Sequence, residues 1–163
     1  DYLINNEDIS YLGDLTFEDG SPLYNERELS HMQDVKEVIT GSLTAWYITL
    51  AILLILLILF YKNNNLTEYL IALQRGGWWM IGLALSLAFI AGAGILLNPD
   101  IFWTFFSGFH AIFFEGDSWL FYYSDTLIRL FPIRFWQDAV IAIAIIALGG
   151  GLSLALGLKR FTE

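Results

Sequence analysis

The stretch LTAWYITLAILLILLILFY at Leu43–Tyr61 contains no charged residue and decides the fold class. A helix of this length covers about 30 Å at 1.5 Å per residue, which is the thickness of the hydrocarbon core of a bilayer. Because the bilayer offers the backbone no water, such a segment must be helical. Two more uncharged apolar stretches of similar length occur at Trp78–Leu97 and Ala139–Leu158. The sequence therefore predicts three transmembrane helices.

Composition supports this assignment over the whole chain. Hydrophobic residues make up 56% of the 163 residues, charged residues only 15%, and the mean hydropathy is +0.58. Three spans leave little of a chain this short for a soluble domain. We expect an all-α membrane protein, a polytopic helical bundle that carries a small extracellular cap.

The distribution of charge predicts the orientation, because lysine and arginine beside the spans favour the cytoplasmic side. The 62–77 loop leans basic and the tail begins Lys159–Arg160, whereas residues 1–42 hold ten acidic and two basic residues. Residues 98–138 hold five acidic and two basic residues. The expected order is an extracellular cap segment that starts a long helix (1–42), a span (43–61), a cytoplasmic loop (62–77), a span (78–97), an extracellular aromatic segment (98–138), a span (139–158) and a cytoplasmic tail (159–163).

Residues 1–42 would have to be translocated, although no apolar span precedes them in this sequence. We therefore expect one further N-terminal span, which would make four in the full protein. The acidic outer segments argue against nucleic-acid partners. Without cysteine, and without an HxxxH or HExxH spacing, the sequence indicates neither a metal site nor a cofactor.

Both histidines lie in the outer segments. His31 belongs to NERELSHMQDVK, where Asn25 and Glu28 have the spacing of a capping box that opens a helix running through Tyr61. On this helix Arg27 and Asp34 share a face with His31. This pattern fits a solvated charged face of the helix as well as a catalytic site. The preceding segment, Asp14–Tyr24, fits a connector as well as a lid over a lipid site.

His110 lies in IFWTFFSGFHAIFF at Ile101–Phe114, in which seven of fourteen residues are Phe or Trp. The segment is too short to span and follows Asn98–Pro99, a helix-stop signal, so we expect it at the membrane interface. The histidine could anchor the segment there, or it could exchange protons with lipid esters, since its usual pKa is about 6.5.

Three blocks together resemble the bacterial lipoprotein intramolecular transacylase family, Lit: NERELSHMQDVK at Asn25–Lys36, FHAIFFEGDSWLF at Phe109–Phe121 and SDTLIRLFP at Ser124–Pro132. The resemblance covers nearly all of this chain, in which the family's first span and the cap region after it are absent. It implies a bacterial cytoplasmic membrane protein whose partners are membrane lipid and the lipidated N-terminus of lipoproteins. The family reaction moves an acyl chain from the glyceryl sn-2 ester of a lipoprotein to the α-amine of its N-terminal cysteine.

The resemblance implies that His31 and His110 are a catalytic acid–base pair. For this pair to act on one substrate, the two rings must approach within about 10 Å. Glu28 or Asp34 would orient His31, and Arg27 would contact the substrate backbone or a developing oxyanion. Trp119 and Asp125 complete the supporting residues, and the acyl chains would be lined by Phe106, Phe109, Phe113 and Phe114.

A competing interpretation is a non-catalytic accessory or assembly subunit of a larger membrane complex. Aromatic interfacial segments and glycine-rich spans would then provide contacts with the membrane-complex partners. A transporter or channel is disfavoured, because the three spans contain no ionisable side chain to select or couple ions.

Overall fold

The computed structural model describes residues 1–162 and confirms an all-α membrane fold. Three of its helices are long and apolar enough to cross a membrane. Within residues 1–162 the only strand-like pairing is an antiparallel bridge between Thr16 and Pro22. After a 3-10 helix at Tyr2–Ile4, the helices are α1 (Ser10–Gly13), α2 (Glu26–Lys62), α3 (Leu66–Leu96), α4 (Pro99–Phe113), α5 (Thr126–Leu130), α6 (Ile133–Gly157) and α7 (Lys159–Thr162).

Helix α2 runs without a break for 37 residues, which confirms the single long helix predicted from the capping box. At its start the Asn25 side chain accepts a hydrogen bond from the Glu28 amide, and the Glu28 carboxylate accepts one from the Asn25 amide. At its end a turn of three residues contains Asn64 in the left-handed region, with a φ of 56°. Helix α3 then begins at Leu66, so most of the predicted 62–77 loop is helical.

Proline and asparagine set the boundaries of the aromatic segment. Helix α3 ends at Leu96, and α4 begins at Pro99, a position where proline's missing N–H has no helical acceptor to lose. The Asn98 side chain accepts a hydrogen bond from the Asp100 amide at this start. Pro132 similarly separates α5 from α6, which begins at Ile133, six residues before the uncharged stretch.

The residues that the structure describes divide into two compact units, one formed by Asp1–Tyr47 with Phe105–Phe135 and the other by Ile48–Thr104 with residues 136–162. In the first unit, Lys36 holds the N-terminal segment on α2. Its ammonium donates hydrogen bonds to the Glu7 carbonyl and the Asn5 side chain and lies over the Tyr2 ring.

In the second unit, α3 and α6 approach closely at two glycines. A Cβ placed on Gly77 would lie 2.7 Å from the Ala155 nitrogen and 2.8 Å from the Gly151 oxygen. The Gln74 side chain donates a hydrogen bond to the Ala155 carbonyl at 3.0 Å beside this contact. Small residues therefore form the contact between these two helices, as expected where apolar helices associate in lipid.

Replacing Gly77 with Ala should destabilise the protein by about 1–3 kcal/mol, because the new methyl group would meet backbone atoms that cannot move independently. The matched control is Gly76→Ala, one residue earlier on α3, where a Cβ meets nothing within 4 Å. The control should be neutral or stabilising, since alanine favours a helix over glycine by about 1 kcal/mol. Thermal unfolding in detergent measures both variants, and equal melting temperatures for the two would contradict the close contact.

Candidate functional site

The start of α2 is anchored by a buried carboxylate. Glu28 is 1% exposed, and its two oxygens accept hydrogen bonds from the Asn25 amide at 2.8 Å and the Leu127 amide at 2.7 Å. Leu127 lies in the first turn of α5, so one carboxylate joins the beginnings of α2 and α5. Its role is therefore to hold two chain segments, and neither of these hydrogen bonds orients His31.

The loop between α4 and α5 is fixed by the neighbours of Glu28. Arg27 donates a hydrogen bond to the Leu120 carbonyl at 2.6 Å and lies over the Tyr122 ring. Asp125 accepts hydrogen bonds from the Tyr122 amide at 2.8 Å and the Asn25 side chain at 3.3 Å. These contacts hold the loop beside the first turn of α2.

His31 lies one turn further along α2 and is 8% exposed. Its ring makes edge contacts with Phe114 at 4.8 Å and Phe121 at 5.3 Å between centroids. Its Nδ1 atom is buried and has no hydrogen-bond partner among the described residues. The helix therefore turns this histidine into an apolar environment, and the solvated charged face that the sequence also allowed is not formed.

His110 faces His31 from α4. The two rings are stacked, with their centroids 6.3 Å apart and an interplanar angle of 22°, which lies inside the separation that a shared substrate requires. His110 is 7% exposed and contacts Phe106 at 4.0 Å, Trp119 at 4.7 Å and Phe109 at 5.6 Å. Aromatic rings thus surround both imidazoles.

A contact with the backbone determines which ring nitrogen of His110 carries the proton. Its Nδ1 lies 2.8 Å from the Phe106 carbonyl oxygen, one turn earlier on α4. A carbonyl can only accept a hydrogen bond, so Nδ1 carries the proton, and in the neutral ring Nε2 keeps its lone pair. This nitrogen is the one that can accept a proton.

Burial keeps both imidazoles uncharged at neutral pH. It lowers the pKa of His31 to about 4, and the neighbouring His110 lowers it as well, while the charge of Asp34 opposes the shift. Burial also lowers the pKa of His110, although its hydrogen bond to Phe106 opposes the change. Two neutral imidazoles can act as proton acceptors without first losing a proton.

Most of the aromatic residues predicted at the site contact a histidine. Phe114 contacts both rings, since its centroid also lies 5.5 Å from that of His110. Phe113, which was also predicted to line the acyl chains, contacts Phe109 and is 46% exposed. The charge of Asp34 raises the pKa of His31, against the effect of burial. Asp34 makes no hydrogen bond to the buried Nδ1 atom of His31.

Comparison with known proteins identifies the family. The family model described as lipoprotein intramolecular transacylase Lit matches residues 2–136. The chain belongs to the Lit family. A protein of Aquifex aeolicus described as uncharacterised is 32% identical over 147 residues, which are 88% of this chain and 62% of that relative. This Lit-family chain thus spans less than two thirds of the length of that relative, and no solved structure matches it.

Two contacts of the Lit-family site were not predicted from its sequence. Phe121 lies in one of the blocks that carry the resemblance, but nothing in its spacing indicates that it meets His31, 90 residues earlier. The amide of Leu127 is a backbone group, so no side-chain pattern could single it out as the partner of Glu28. Both contacts depend on how the loop after α4 folds back.

Replacing Glu28 with Ala should lower the free energy of unfolding by about 2–4 kcal/mol, because the Asn25 and Leu127 amides would both lose their acceptor. The control, Glu26→Ala, removes an exposed carboxylate from the same first turn and should cost about 0.3–1 kcal/mol through the helix dipole. Chemical unfolding in detergent compares the two variants. Equal losses would show that Glu28 acts as an ordinary surface charge.

Proposed function

We propose that this protein transfers an acyl chain within a lipoprotein, from the glyceryl sn-2 ester to the α-amine of the N-terminal cysteine. The observation that carries the proposal is the pair of buried neutral imidazoles stacked 6.3 Å apart. Membership of the lipoprotein transacylase family supports the choice of substrate. The partners are accordingly membrane lipid and the lipidated N-terminus.

The chemistry requires one proton to move. The amine nitrogen attacks the ester carbonyl carbon, a C–N bond forms, and the carbonyl electron pair moves to oxygen. When the C=O bond forms again, the C–O bond to glycerol breaks and the glyceryl oxygen needs a proton. Because both imidazoles start uncharged, the proton that leaves the amine is the one that reaches the glyceryl oxygen.

His110 carries the proton in this transfer, and His31 is the second imidazole of the pair. His110 Nε2 receives the amine proton, since the hydrogen bond from Nδ1 to the Phe106 carbonyl leaves this lone pair available. The His110 imidazolium then returns the proton to the departing glyceryl oxygen. No protein nucleophile is required, because amine and ester belong to one molecule and their positioning supplies much of the rate.

The aromatic surroundings suit the same substrate. Rings against both histidines exclude water, which would otherwise hydrolyse the ester and release a free fatty acid. Phe109 is 46% exposed, so the apolar surface continues outward from the imidazoles, where an acyl chain could lie. By the charge rule, the unit that holds the pair faces the outside of the cytoplasmic membrane, where lipoproteins display their lipidated ends.

The test is to incubate the purified full-length protein with a synthetic diacylglyceryl-cysteine peptide in detergent and to sequence the product by tandem mass spectrometry. Fragmentation is needed because migration of the acyl chain leaves the mass unchanged. We expect an N-acylated peptide that carries one glyceryl acyl chain. Replacing His110 or His31 with Ala should slow its formation about 10²–10⁴-fold, the usual contribution of acid–base catalysis.

The matched control is Ile112→Ala, which removes a side chain that is 76% exposed on the same helix as His110. This variant should keep the wild-type rate. An unmodified peptide after incubation with the wild-type protein would reject the reaction. A wild-type rate in both histidine variants would reject the imidazole pair and leave the family's reaction to other groups.

A further inference from the structure

Acyl transfer places negative charge on the ester carbonyl oxygen, and the protein must supply hydrogen-bond donors to that atom. Arg27, which the sequence suggested as a contact for the substrate backbone or the oxyanion, is exposed, donates one hydrogen bond to the Leu120 carbonyl and lies over the Tyr122 ring. Buried hydroxyl donors are present in the same unit as the histidines.

Two serine hydroxyls have the required properties. The Oγ atoms of Ser107 and Ser118 are buried and have no hydrogen-bond partner among the described residues. Two other serines, Ser86 and Ser153 in α3 and α6, instead donate to the carbonyls four residues earlier, at 2.9 and 2.8 Å. A buried hydroxyl without an acceptor destabilises the fold, so these two positions need a reason.

Both serines lie next to groups that contact His110. Ser107 precedes His110 by three residues on α4, a spacing that places two side chains on the same side of a helix. Ser118 directly precedes Trp119, whose ring centroid lies 4.7 Å from that of His110. The third buried polar atom without a partner in residues 1–162 is Nδ1 of His31. All three atoms belong to the unit that contains the imidazole pair.

We propose that Ser107 and Ser118 donate hydrogen bonds to the carbonyl oxygen of the ester that is transferred. This inference rests on the proposed transacylase function and names the oxyanion donors of that site. When the amine attacks, the new C–N bond sends the carbonyl electron pair to this oxygen, and the two hydroxyls hold it until C=O forms again and the glyceryl C–O bond breaks. The serine protons stay on the serines throughout.

The proposal predicts opposite effects on stability and on rate. Ser118→Ala and Ser107→Ala remove a buried hydroxyl without an acceptor, so the melting temperature should stay the same or rise. The same changes should lower kcat by 10-fold or more with little change in KM, because a bond to the oxyanion forms fully only in the transition state. The substrate is the synthetic diacylglyceryl-cysteine peptide, assayed with the full-length protein.

The matched control is Ser153→Ala, which deletes a hydroxyl that already donates to the Gly149 carbonyl and should leave kcat unchanged. Ser118→Cys, which keeps a weak donor of similar size, should lose less activity than Ser118→Ala. Loss of kcat in both alanine variants at full stability supports the proposal, and loss in only one overturns it for the other serine.

Wild-type kcat in both alanine variants would overturn the proposal and leave the transacylase function intact, whether their melting temperature rises or falls. A loss of activity that follows a fall in melting temperature and is not relieved by Ser118→Cys would also overturn it, because the hydroxyls would then be structural. If the wild-type protein itself forms no N-acylated peptide, the transacylase function fails, and the role of the serines fails with it.

Discussion

The site depends on one buried carboxylate. Glu28 closes the capping box at the start of α2 and also accepts the Leu127 amide at the start of α5. His31 follows Glu28 by three residues, so the two side chains lie on the same side of α2 and both are buried. Arg27, which directly precedes Glu28 in the sequence, donates a hydrogen bond to the Leu120 carbonyl. This bond holds the loop that contains Trp119 and Phe121. The first turn of one helix thereby positions the groups around the histidines.

Enclosing two imidazoles in aromatic rings has a direct electrostatic consequence. Burial disfavours their charged forms, so the pair is ready to accept a proton at neutral pH. The hydrogen bond from His110 Nδ1 to the Phe106 carbonyl also determines which nitrogen accepts the proton, since it leaves Nε2 as the basic atom. This tautomer and the unpaired His31 Nδ1 are both compatible with the proposed proton transfer.

The long α2 helix and the three spans could be predicted from sequence because they depend on local patterns. These patterns are an uncharged run of about 20 residues, a capping box and a proline after asparagine. Each determines the structure of the residues that form it or lie next to it. The burial of His31 could not be predicted in this way. Its neighbours on α2 are charged, and the rings that cover it, Phe114 and Phe121, come from a segment more than 80 residues later. The same limitation explains why the sequence suggested that Glu28 orients His31 and that Arg27 contacts the substrate, but did not reveal their hydrogen bonds to the Leu127 amide and the Leu120 carbonyl.

The claim that the imidazole pair is buried, neutral and oriented for proton transfer can be measured directly by ¹⁵N NMR of the histidine side chains in detergent. At neutral pH we expect neither ring to be charged and His110 to carry its proton on Nδ1. On acidification both rings should titrate below the usual value of 6.5, His31 at about 4. A charged imidazole at neutral pH, or a His110 ring with its proton on Nε2, would show that the pair is not arranged for this proton transfer.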